Sequence, residues 1–242
     1  MSRGRLTPSL NYRNKSFIDM HISTISLRNM TGIEVYGASN INDAQNSPAF
    51  MFTVPYDITF YSESLRRGRK YGAEESHRDQ TRFIFTLDDY STVPIANQTR
   101  IPPDDNICFI RVRGVYPDGT FSAFGPIVAV PPYDFFGVTA PMFTVIGNAP
   151  NLNTNGVIPD VLDAGAMNLH LPYFSQTINI QNIESAQGGS NLFFSCSAGM
   201  SPSILRPGES FTLTGGSVPE FFVAGESGTP TFTIRSSVVN RG

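Results

Sequence analysis

The stretch Ile107-Cys108-Phe109-Ile110-Arg111-Val112-Arg113-Gly114-Val115-Tyr116-Pro117-Asp118-Gly119-Thr120-Phe121-Ser122-Ala123-Phe124-Gly125-Pro126-Ile127-Val128 decides the fold class. Its first half alternates with period two. Cys108, Ile110 and Val112 share one face, and Ile107, Phe109 and Arg111 share the other. Such a run reads as a strand, because successive side chains point to opposite sides of an extended backbone. Pro117-Asp118-Gly119 is a turn signal: Pro presets its φ, Asp bonds its own backbone and Gly admits positive φ. Phe121 to Val130 then reads as the returning strand, ended by Pro131-Pro132.

The same pattern extends upstream. His21 to Leu27 places Ile25 and Leu27 on one face and Ile22 on the other, and Gly32 to Tyr36 places Ile33 and Val35 together. Ala49 to Phe60 carries Phe50, Phe52, Val54, Ile58 and Phe60, with Pro55 marking an edge or a bulge. Arg82 to Leu87 adds a further run. No segment predicts a helix. Short strands at regular spacing, separated by turn signals, predict an antiparallel β-sandwich over residues 17–132. The ending at 107–128 resembles the last hairpin of a fibronectin type III domain. That resemblance implies a fibronectin-III-like or immunoglobulin-like first domain. The chain departs from the family in having no core Trp in its early strands and a basic insert at 62–82.

Downstream, residues 133–166 are rich in Pro, Gly and Asn and predict a long irregular linker. It opens on Phe135, Phe136, Met142, Phe143, Val145 and Ile146, a density of large apolar side chains that needs a surface to cover it. Residues 167–242 predict a second, small β-sandwich. Ile178 and Ile180 share a face, as do Leu192, Phe194 and Cys196, and turns fall at Gln187–Ser190, Arg206–Ser210 and Gly225–Pro230. The segments Leu205-Arg206-Pro207-Gly208-Glu209-Ser210-Phe211-Thr212-Leu213, Glu220-Phe221-Phe222-Val223 and Phe232-Thr233-Ile234-Arg235 resemble a small β-domain of tailed-bacteriophage virion proteins. The expected architecture is therefore all-β: two antiparallel β-sandwich domains, an extended N-terminal arm at 1–16 and the linker at 133–166.

Composition agrees. Among 242 residues there are 21 Gly, 18 Pro and 19 Phe, and no Trp, and only 15% are charged. This balance disfavours a helix-rich chain and still supplies a core. No apolar run is long enough to span a membrane as a helix, and the polar, basic start predicts no secretory signal. Net charge is −3, unevenly spread. Residues 1–28 carry Arg3, Arg5, Arg13, Lys15 and Arg28 against Asp19 alone, whereas the C-terminal half has an acidic excess. The basic start reads as an arm lying on another surface.

No set of residues predicts catalysis. His21, His77 and His170 are far apart in sequence without metal-ligand spacing. There is no GxSxG, and His77-Arg78-Asp79 lacks every other kinase element. Asp88-Asp89 and Asp104-Asp105 flank turns rather than follow a calcium-loop pattern. Cys108 and Cys196 read as free thiols in strands. The expectation is no enzyme activity, no cofactor and no metal. Arg66, Arg67, Arg69 and Lys70 form the sharpest charge cluster, which Glu63, Glu74, Glu75 and Asp79 nearly neutralise. It fits a solvated hairpin tip or a subunit contact better than a nucleic-acid site. The candidate contact residues are Arg3, Arg5, Arg13, Lys15, Arg66, Arg67, Arg69, Lys70, Phe135, Phe136, Met142 and Phe143. Together with the phage resemblance they predict a virion structural protein, oligomeric within a larger assembly of other virion proteins. It would sit on the capsid or at the neck or collar, and be made in the host cytoplasm. A tail or fibre component, or a carbohydrate-binding module, is the alternative.

Overall fold

The computed structural model describes residues 6–13, 17–23, 26–27, 29–55, 72–77, 80–86, 108–130, 142–162, 165–171, 175–197, 199–214 and 220–238. Among these residues the protein is all-β with one short helix, and the strands form three sheets. The first sheet has four strands in the order β1-β2-β6-β5: β1 (Ser9–Arg13), β2 (Phe17–Ser23), β6 (Gln80–Thr86) and β5 (Gly72–His77). The central sheet has eight, in the order β13-β12-β15-β10-β8-β7-β3-β4: β13 (Ser203–Leu205), β12 (Leu192–Ser195), β15 (Glu220–Gly225), β10 (Met167–His170), β8 (Ile127–Val130), β7 (Cys108–Val115), β3 (Gly32–Ala38) and β4 (Ala49–Pro55). The third has four, in the order β14-β11-β16-β9: β14 (Ser210–Thr214), β11 (Ser175–Asn182), β16 (Thr231–Val238) and β9 (Met142–Asn148).

Alternation along the central strands sends side chains into two different cores. Ile110 and Val112 of β7, Val128 and Val130 of β8, and Ile33 and Val35 of β3 pack with Met20 and Ile22 of the first sheet. On the opposite face, Phe109, Ile127 and Ala129 join Leu169, Phe221, Val223, Leu192 and Phe194, which pack with Ile178, Ile180, Phe232 and Ile234 of the third sheet. Each fully buried Phe, Leu or Ile contributes roughly 1.5–3 kcal/mol. The central strands are therefore apolar on both faces, as β8 (IVAV) and β12 (LFFS) show with every residue buried. A third, smaller cluster of Leu162, Phe193, Phe222 and Ala224 also lies on the central sheet.

Five expectations are corrected. The region 133–166 is not irregular throughout, because Met142–Asn148 is β9, hydrogen-bonded along its length to β16. The arm 1–16 is not a free extension over its described part: Ser9–Arg13 pairs with β2, and Leu6 is fully buried in the core beneath. The sheets are not purely antiparallel. β8 and β10 run parallel, with Leu169 opposite Ile127 and His170 opposite Val128, because the long connection between them returns the chain in the same direction. That pairing carries the central sheet across the expected linker without a break.

The returning strand after Gly119 starts at Ile127, not Phe121. Residues 122–126 loop out, with Ser122 N and Gly125 N donating to Gly114 O and Val112 O. Finally, a helix does form, α1 (Ile41–Asn46). Asn40 caps it by accepting from Asp43 N at 2.9 Å, and Ile41 and Ala44 turn into the core. No helix among the described residues is long and apolar enough to cross a membrane.

The expected turns are present. Gly119 has φ of 76°, and Gly119 N donates to Tyr116 O. Gly208 has φ of 84° in the turn where the chain passes from the central sheet (β13) to the third sheet (β14).

Candidate functional site

The third sheet covers the β13-β12-β15-β10 half of one central-sheet face, and α1 covers the next part through Ile41 and Ala44. Beyond α1 the same face continues onto β7, β3 and β4, where Glu34 lies opposite Arg113 and Tyr36 opposite Arg111. A bulge between Val35 and Tyr36 sets Phe50 opposite Tyr36. It lets Phe50 share this outer face while Met51 turns into the opposite core. Loop residues Phe121 and Phe124 complete the patch.

Its geometry is a stack of rings and guanidinium groups. The Arg113 guanidinium lies 3.8 Å from the Phe121 ring centroid, 5.0 Å from Tyr36 and 5.3 Å from Phe124. Arg111 lies 4.9 Å from Phe124. Tyr36 meets Phe124 and Phe50 edge to face, at 4.8 and 5.6 Å. These are attractive geometries for a ring quadrupole. One oxygen of Glu34 accepts from Arg113 Nε at 2.7 Å and from the Tyr36 hydroxyl at 2.8 Å. Burial, then the bond to Glu34 and its negative charge, push the Tyr36 phenol up to about 12, against a smaller opposing pull from Arg113.

The polar groups of the patch are thus engaged with each other, and what it offers outward is aromatic carbon. Phe50 is 41% exposed and Phe121 42%. Arg111 is different: it is buried, and its guanidinium donates to Gly125 O at 3.1 Å and to Ala44 O and Gln45 O at 3.2 and 3.1 Å. It holds the last carbonyls of α1 and the 122–126 loop against the sheet.

A second polar cluster lies in the middle of the other face. His170 Nδ1 is 2.9 Å from Pro8 O and its Nε2 is 3.3 Å from Glu220 Oε1, which also accepts from Asn168 Nδ2 at 3.0 Å. A carbonyl only accepts, so Nδ1 carries the hydrogen. The cluster ties the N-terminal segment to β10 and β15. Cys196 is a half-buried free thiol, and burial pushes its pKa up, the opposite of an activated nucleophile. Among the described residues no group of three or more His, Cys, Asp or Glu side chains is placed to hold a metal ion.

No family model and no curated protein matches the chain.

Of the candidate contact residues, Arg3, Arg5, Lys15, Arg66, Arg67, Arg69, Lys70, Phe135 and Phe136 lie outside the described residues. Arg13 ends β1 opposite Ile18, and Met142 and Phe143 start β9 opposite Ser237 and Ser236. The first sheet and the third pack on opposite faces of the central sheet, so Arg13 is not brought together with Met142 and Phe143. The patch at Glu34, Tyr36, Phe50, Arg113, Phe121 and Phe124 was not among the candidates. Its signal was present: Arg111 and Arg113 fall on one face of a strand, and Glu34 and Tyr36 fall opposite Ile33 and Val35.

Proposed function

We propose that the protein is a non-enzymatic structural subunit that works by packing against neighbouring proteins, within the virion of a tailed bacteriophage. The observation that carries the packing part is the exposure of the Phe50 and Phe121 rings, which flank an internally satisfied Glu34–Arg113 pair. Aromatic and Arg side chains concentrate the binding energy of protein interfaces, and a satisfied ion pair can be covered without stranding a charge. The placement in a virion, on the capsid or at the neck or collar, is supported by the sequence pattern of residues 205–235, and a fibronectin-III-like first domain by that of 107–128. On this reading the two expected sandwiches are the first and third sheets, each packed on its own part of a shared central sheet. The partners are other virion proteins and further copies of this chain, with no cofactor.

Peptide mass spectrometry of purified particles, with copy number, tests the placement; absence from the particle would sink it. A second reading, a carbohydrate-binding module of a tail, fibre or cell surface, is favoured by the same exposed rings, since a sugar face can lie on Phe50 or Phe121. A glycan array separates the two: specific glycan binding lost in Phe50→Ser and Phe121→Ser would favour the second.

A further inference from the structure

The third sheet ends at β14, whose exposure is out of keeping with its position in a core. Four of its five residues are exposed. Phe211 and Leu213 lie opposite Ile180 and Ile178 and so share their core-facing side. Phe211 packs on Phe194, with ring centroids 5.3 Å apart, and is still 42% exposed. The core is therefore open along this edge.

The strand also lacks the devices that keep an edge from pairing. Ser210-Phe211-Thr212-Leu213-Thr214 has no charge and no Pro. Its polarity reads the same in both directions about Thr212. The backbone directions follow from one bond. Asn182 N donates to Glu209 O at 3.0 Å, so, by the alternation of an antiparallel ladder, Phe211 and Leu213 bond towards β11. Ser210, Thr212 and Thr214 then direct their N–H and C=O groups outward.

From this we infer that β14 is a self-pairing edge whose partner is β14 of a second copy of this chain, antiparallel about a two-fold axis at Thr212. In that register Thr212 meets Thr212 and Ser210 meets Thr214, so every outward backbone group of the strand has a partner. Phe211 of one copy falls in the close, non-hydrogen-bonded position opposite Leu213 of the other, and the two close the open edge of both cores. An isologous contact demands this self-complementarity, and a charge at position 212 would face itself across the axis. The inference rests on the packing reading above and names one of its contacts.

The test is sedimentation velocity of the full chain over a wide concentration range, beside three variants. Thr212→Pro removes the outward N–H, together with the exposed side-chain bond that Asn179 Nδ2 donates to Thr212 Oγ1, and leaves the backbone ladder to β11 in place while the dimer bond is lost. Thr212→Lys keeps that N–H and sets like charges face to face. Thr212→Cys places thiols across the axis, where Cα atoms of such a pair lie about 5.5 Å apart, within disulfide reach. The expected result is a concentration-dependent dimer in the wild type. Its dissociation constant should rise at least about tenfold in the Pro and Lys variants, with melting temperatures near wild type. The Cys variant should form a covalent dimer on a non-reducing gel that the wild type does not. A wild type that stays monomeric, or folded Pro and Lys variants that dimerise as well as wild type, would overturn the inference. A monomer that is nevertheless found in particles would overturn this contact and leave the packing reading standing. A dimer absent from particles would do the reverse.

Discussion

Arg111 is a buried charged side chain on the same face of β7 as the aromatic patch, and carbonyl partners at Ala44, Gln45 and Gly125 explain why it can be there. A buried carbonyl that loses its donor costs about 1–3 kcal/mol. Arg111→Met keeps the volume and removes the donors, so it is expected to destabilise the fold by roughly 3 kcal/mol in urea titrations. Arg111→Lys should fall between, since one ammonium cannot span the carbonyls of Ala44, Gln45 and Gly125. An unchanged midpoint for Arg111→Met would show that the carbonyls are satisfied without it.

Tyr36 makes a prediction in pH. Its phenol is raised from the ordinary value of 10.0 to about 12 in the folded state, so the neutral form is the one the fold favours. The resulting stability is complete below pH 10 and is lost as pH rises towards 12. Tyr36→Phe should flatten that part of the stability curve, and absorbance titration at 295 nm should show one tyrosine ionising late.

At the scale of elements, alternation made the strands legible: Ile33 with Val35, Ile178 with Ile180 and Leu192 with Phe194 all reach the cores their spacing assigns. Where sequence reading fell short, the missing information was non-local. Phe193 is buried because β12 is covered on both faces, which no single strand can announce. The run from Phe121 looks like a strand, yet the Arg111 guanidinium takes Gly125 O and the ladder resumes only at Ile127. The outer-face patch went unread because Phe50 reaches it only through a bulge, and a bulge depends on the partner strand.

The N-terminal segment carries the sharpest test at this scale. A Cβ on Gly125 would collide with the Leu6 carbonyl, and the crowded atom is backbone, which yields little. Gly125→Ala should lift Leu6 out of its core at a cost of about 1–3 kcal/mol. Faster amide exchange over residues 6–13 is the readout; unchanged protection would mean that the segment is held by something other than Leu6 and Pro8.

For the whole molecule the question is whether the halves on either side of residues 133–166 unfold apart. The seam between them is short, since β8 and β10 are registered at only two residue pairs. Side chains make it stronger than its backbone bonds. Ile127 and Ala129 of β8 share one core with Leu169 and Leu171, and His170 beside them binds the carbonyl of Pro8. Exposing that seam would strip apolar surface from both halves at once, so separate unfolding is costly. Calorimetry is therefore expected to show one transition whose calorimetric and van't Hoff enthalpies agree. At about 0.7 kcal/mol per residue, a 242-residue chain unfolding near 60 °C would absorb roughly 170 kcal/mol. Two resolved transitions of about half that size would mean that the central sheet is continuous in geometry but not in energy. His170→Ala offers the finer comparison: it cuts the tie to Pro8 while leaving the β8–β10 pairing in place. If side chains couple the halves, this variant should lower the melting temperature and broaden the single transition, whereas a seam held by its ladder bonds alone would leave the profile unchanged.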